Sequence, residues 1–77
     1  MTKEQLKIAL AELIINPNYY SLDGDLIPDR MVICKSYNDW QVFYFDEKGN
    51  RRNEQVFHSE SEAYQYLYDS FKNQYKK

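Results

Sequence analysis

The sequence predicts an α+β domain: a three-stranded antiparallel β-meander with N-terminal and C-terminal helices packed on one face, in the order α-β-β-β-α. Three observations predict it. Leucines and isoleucines recur at helical spacing behind Thr2. Between Met31 and Phe57, runs of β-branched and aromatic residues are separated by turn residues. Ser59-Glu60-Ser61-Glu62-Ala63 then opens a second helical stretch. At 77 residues the chain is expected to be one domain, residues 1–77.

The first helix is expected over residues 2–15. Thr2 and Gln5 have the spacing of a capping box, in which each side chain bonds the other's backbone amide. Leu6, Ala9, Leu10, Leu13 and Ile14 form an apolar stripe that Ile8, Ala11 and Ile15 widen. Asn16-Pro17-Asn18 ends it, because proline restricts the residue before it and has no amide to donate. Residues 19–30 read either as a short strand at Tyr19–Leu22 or as an extended connector, with turn signals at Asp23-Gly24-Asp25 and Pro28-Asp29.

The first full strand is expected over Met31–Ser36, with a reversal at Tyr37-Asn38-Asp39 and a second strand over Trp40–Asp46. Period-two alternation puts Trp40, Val42 and Tyr44 on one face and Phe43 and Phe45 on the other. The first set is assigned to the core, leaving the second partly exposed; the opposite assignment stays open. Gly49-Asn50 turns the chain into Arg51–Phe57, whose polar start suits an edge strand guarded against self-pairing. The second helix is expected from Glu60 to Tyr75, with Ser59 and Glu62 as its capping pair. Ala63, Leu67, Phe71 and Gln74 lie along one side, flanked by Tyr64 and Tyr75, and Lys72, Lys76 and Lys77 sit at its negative dipole end.

Composition narrows the function. Ten basic and twelve acidic residues give a net charge of -2. That argues against a nucleic-acid backbone binder, which carries a basic excess. The opening Met1-Thr2-Lys3-Glu4-Gln5 lacks the apolar character of a secretory leader, no run is long enough to span a bilayer, and a lone cysteine fits a reducing compartment. A cytoplasmic protein without membrane association is expected.

Catalytic constellations are weak. His58 adjoins Ser59, but the serine is already committed to capping, and a triad also needs an orienting group and an oxyanion site. One cysteine and one histidine cannot supply four zinc ligands. A calcium loop begun at Asp23 would place Cys34 at its closing position, where a carboxylate is required. No enzyme activity, metal or cofactor is expected. With 17% aromatic residues, including eight tyrosines, several rings should reach the surface, where aromatic side chains favour interfaces. The candidate partner-binding set is the acids Asp23, Asp25, Asp29 and Asp39 with the aromatics Tyr37, Phe43 and Phe45.

The pattern Trp40-x-Val42-x-Tyr44, followed by an acid and Gly49, then Phe57-x-Ser59-Glu60-x-Glu62-Ala63-x-x-Tyr66, resembles small immunity proteins of bacterial polymorphic toxin systems. These share a tryptophan-valine-tyrosine strand, a glycine turn and a phenylalanine-serine-glutamate helix start, and the resemblance covers residues 31–67. It implies a cytosolic protein that binds one cognate toxin and blocks it, the loop acids meeting a basic cleft and the aromatics anchoring the contact. The alternative is a small regulatory or phage-encoded protein acting as a homodimer through its exposed sheet face.

Overall fold

A computed structural model describes residues 1–75, with no side-chain description for Tyr75. Lys76 and Lys77, placed by sequence at the end of the second helix, lie outside the described residues. The chain forms helix α1 (Lys3–Glu12), a 3-10 turn (Pro17–Tyr19), strands β1 (Tyr20–Ser21), β2 (Arg30–Ser36), β3 (Asp39–Phe45) and β4 (Arg51–Phe57), and helix α2 (Glu60–Tyr75). The α+β class is as expected, but the sheet has four strands and is mixed. β1 lies parallel to β2, and the order β1-β2-β3-β4 is otherwise antiparallel. The short-strand reading of the ambiguous segment is therefore the one realised, at two residues. Its parallel direction requires residues 22–29 to carry the chain back past β2 before Arg30 begins it.

The capping box at α1 forms as the sequence predicts. The Gln5 amide donates to Thr2 Oγ1 at 3.1 Å, and the Thr2 amide donates to Gln5 Oε1 at 2.9 Å. The helix stops sooner than residue 15. The Ile14 amide bonds the Ala11 carbonyl at 2.9 Å and the Ile15 amide bonds the Leu10 carbonyl at 3.0 Å. This pair of bonds is the Schellman closure, and it puts Ile14 in the left-handed region at φ 59°. Ile15 turns back into the core beside Leu10, while Ile14 is left 91% exposed. Ile14, Ile8 and Ala11, assigned by sequence to the buried stripe, all face solvent.

One apolar cluster joins the helices to the sheet. Leu6, Leu10 and Ile15 from the first helical segment meet Ala63, Tyr64, Leu67 and Phe71 of α2 over Ile33 and Val42. Burying each large aliphatic side chain contributes about 1.5–3 kcal/mol. Trp40 packs beside this cluster, with its ring 6.4 Å from Tyr64, so two of the three β3 residues assigned to the core join it. Tyr44, the third, is half-buried but is not part of the cluster.

The opposite sheet face departs from expectation. Phe43 is fully buried and Phe45 half-buried, because that face has its own cover. Val32 pairs with Phe43 across the strands and is equally buried. The Arg51 guanidinium lies 4.4 Å from the centre of the Phe43 ring, and Phe45 meets the same ring edge-on at 6.3 Å. Gly24, in the returning loop, lies against the Cys34 sulfur on this face. Cys34 is half-buried and free, consistent with a small hydrophobe under a loop.

β4 follows the sheet with a register break between Val42 and Tyr44 of β3. Val42 pairs with Gln55 and Tyr44 with Arg52, so β4 carries one extra residue there. Asn53 takes up the bulge at φ 55°.

Candidate functional site

Asp46 builds the turn that ends β3. Its carboxylate accepts from the Lys48 amide at 3.0 Å, the Asn50 amide at 2.7 Å and Arg52 Nε at 2.7 Å. The Arg52 bond, then the Asn50 amide, hold this carboxyl below its ordinary range. Gly49 supplies the positive φ of 82° that closes the turn. Arg51 and Arg52 are thus structural: one roofs Phe43, the other clamps Asp46.

The sequence-derived candidate residues do not converge on one spot. Asp23 is ion-paired with Lys3, which lowers its pKa and raises that of the lysine through their mutual hydrogen bond. Asp25 is exposed in the returning loop. Asp39 sits at the start of β3, its Oδ1 2.8 Å from His58 Nδ1. Ser59 caps α2 by accepting from the Glu62 amide at 3.1 Å, one half of the expected capping pair; among the described residues no bond joins the Ser59 amide to the Glu62 side chain. Phe43 is enclosed and offers no surface to a partner; Phe45 offers part of its ring. Tyr37 is 95% exposed at the tip of the β2–β3 hairpin. Ser36 pairs with Asp39, so the loop is the two residues Tyr37-Asn38. Positive φ at the first of these alone, 56° at Tyr37, is the pattern of a II′ turn, where glycine is the favoured residue.

Asp29 belongs to a different feature. Its amide donates to the Phe45 carbonyl at 2.7 Å, extending the ladder one residue before β2. Its φ of 62° and the Tyr44 hydroxyl, donating to Asp29 Oδ1 at 3.1 Å, fix the carboxylate at the mouth of a cleft. This hydrogen bond, ahead of burial, raises the Tyr44 pKa. The cleft has a volume of about 610 Å³ and lies between the second half of α2 and the adjoining ends of the sheet. Met31, Asn53, Tyr66 and Phe71 contribute to its walls. Tyr66 is held in place by Phe57, ring centres 5.2 Å apart. Of these residues the sequence pointed only to Asp29. The Pro28-Asp29 break was its signal; Asn53 gave none, because a bulge leaves no mark on hydropathy.

The expected surplus of exposed tyrosines is also smaller than the composition implied. Among the described side chains only Tyr19 and Tyr37 are exposed; Tyr20, Tyr44, Tyr66 and Tyr68 are half-buried and Tyr64 is buried. No described helix is long and apolar enough to cross a membrane. Comparison with protein-family models, with curated proteins and with solved structures finds no match to this chain.

Proposed function

We propose that this chain is a non-catalytic binding module, an immunity protein that acts in the bacterial cytoplasm by binding and neutralising a cognate toxin. Tyr37 is the observation that carries this reading. It places a large ring almost wholly in water, on a backbone conformation that disfavours any side chain. Folding gains nothing from either choice. A partner gains an aromatic anchor on a rigid hairpin, and strained backbone with no structural return is a mark of functional sites. Asp39, two residues on, adds a carboxylate beside the anchor, suited to steering a basic surface.

Co-expression with the product of the adjacent gene tests the proposal. A stable complex and protection of the host cell are the expected results. Tyr37→Ala, folded by its amide spectrum, should weaken the complex about tenfold or more. A host left unprotected by the native chain, or an unchanged affinity in the variant, would overturn the reading.

A further inference from the structure

We propose that the cleft between α2 and the sheet is a guanidinium site, filled by an arginine side chain that a partner protein presents. Among the described residues, Asp29 is the only charged one in the cleft lining. Two described cations beside it in the chain and the sheet are engaged elsewhere: Arg30 Nη1 lies 3.5 Å from the Tyr20 carbonyl, and Arg52, opposite Tyr44, is clamped to Asp46. Tyr44 occupies Oδ1, and among the described residues nothing donates to Oδ2. Among the described residues no cation pairs with this oriented carboxylate, so a cation complements it and an anion does not.

The walls select the kind of cation. The rings of Tyr44 and Tyr66 line the cleft, and so does Asn53, whose amide has no described partner. A planar guanidinium can stack on a ring while its fork of N–H groups reaches a carboxylate and a second acceptor together. A lysine ammonium has neither the plane nor the fork. The volume falls within the range of ligand pockets, and the cleft is open to solvent along one side. An open trough suits a side chain reaching in from another surface better than a metabolite that must be enclosed. Among the described residues four non-glycine positions have left-handed backbone, and two of them, Asp29 and Asn53, line this one cleft. Asp and Asn visit this region more readily than other side chains, so both positions can hold a polar group at the cleft with little strain.

The site requires only that chemistry and not that the partner be a toxin. Amide NMR of the full chain, titrated with arginine blocked at both ends, tests it. Saturable shifts are expected at Met31, Asn53 and Ser70, with a dissociation constant on the order of millimolar for so small a probe. Blocked citrulline, the neutral isostere, and the Asp29→Asn variant should each bind about tenfold more weakly. Asparagine tolerates the left-handed region, so that variant keeps the fold. Equal binding of citrulline, equal binding of blocked lysine, or no saturation at these amides would overturn the site. Free arginine binding much more tightly than the blocked residue would overturn the partner-borne assignment and place a small metabolite there. Arginine binding without toxin protection would refute the immunity reading and leave the cleft standing.

Discussion

Ile14 shows how much a single residue can cost when the local backbone is set by its neighbours. The closure of α1 demands a left-handed residue at this position, and glycine meets the demand without a steric penalty. An L-residue there costs about 1–2 kcal/mol, and β-branching does not relieve it. Because the side chain is almost fully exposed, replacing it forfeits little burial. Ile14→Gly should therefore stabilise the chain by about 0.5–1 kcal/mol after the larger entropy of unfolded glycine is subtracted. Urea unfolding followed by Trp40 fluorescence would read this as a higher midpoint at unchanged slope. Ile14→Ala keeps a Cβ in the same region and should gain less. Tyr37→Gly tests the same physics at the hairpin tip: stability should rise while partner binding falls, separating a binding residue from a folding one. The Thr2 and Gln5 cap was legible in the sequence because its chemistry depends on spacing alone. Ile14 was not, because hydropathy places it on the stripe with Leu10 and says nothing about the backbone handedness that ends the helix.

Among the elements, the β3–β4 turn depends most on one side chain. Three donors converge on Asp46, and two of them are backbone amides inside the turn. Asp46→Ala removes every acceptor, so at neutral pH its thermal midpoint should fall below that of Asp46→Asn, and Asp46→Asn below the native chain. The native value should exceed the alanine variant's by roughly 5–10 °C. Because the folded pKa lies below the unfolded one, this stabilisation is fully present above about pH 4. It is lost as pH falls through the lowered folded value. Melts taken from pH 7 downward should show the gap between native chain and Asp46→Asn closing only in that acidic window; a gap independent of pH would contradict the charge-assisted role. The turn itself was legible from Gly49, since only a short list of residues adopts its φ cheaply. β1 was not. A two-residue strand carries no alternation, and its partner is chosen by the path of residues 22–29 across the sheet. Arg51 roofs Phe43 and the same loop covers Cys34 on that face: alternation assigned the Phe43 ring to a face, but could not reveal that distant residues cover it.

For the molecule as a whole, size sets the tolerance. A chain of 77 residues with one main cluster has a net stability of about 5 kcal/mol. Leu67 is fully buried in that cluster. Leu67→Ala costs about 2–5 kcal/mol, so circular dichroism should find much of that variant unfolded at 37 °C. The same scale decides how the chain meets other copies of itself. A homodimer through the sheet's second face needs a broad apolar surface, and the burial of Val32 and Phe43 beneath Arg51 and the returning loop takes away its centre. Another route is edge-to-edge pairing along β4. There the exposed run Arg51, Arg52, Asn53 and Glu54 presents charge and a bulge, both of which discourage a further strand. Light scattering should give the monomer mass of 9.4 kDa across a wide concentration range, and a mass rising toward twice that value would restore the homodimer alternative. Replacing Glu54 with valine, which leaves the Arg52–Asp46 clamp in place, should release the edge, with association that grows with protein concentration. The cluster lies on the helix-covered face, so the variant's far-ultraviolet spectrum should stay native-like while its apparent mass increases. That combination would place the barrier to self-assembly in the charges of β4 rather than in the stability of the fold.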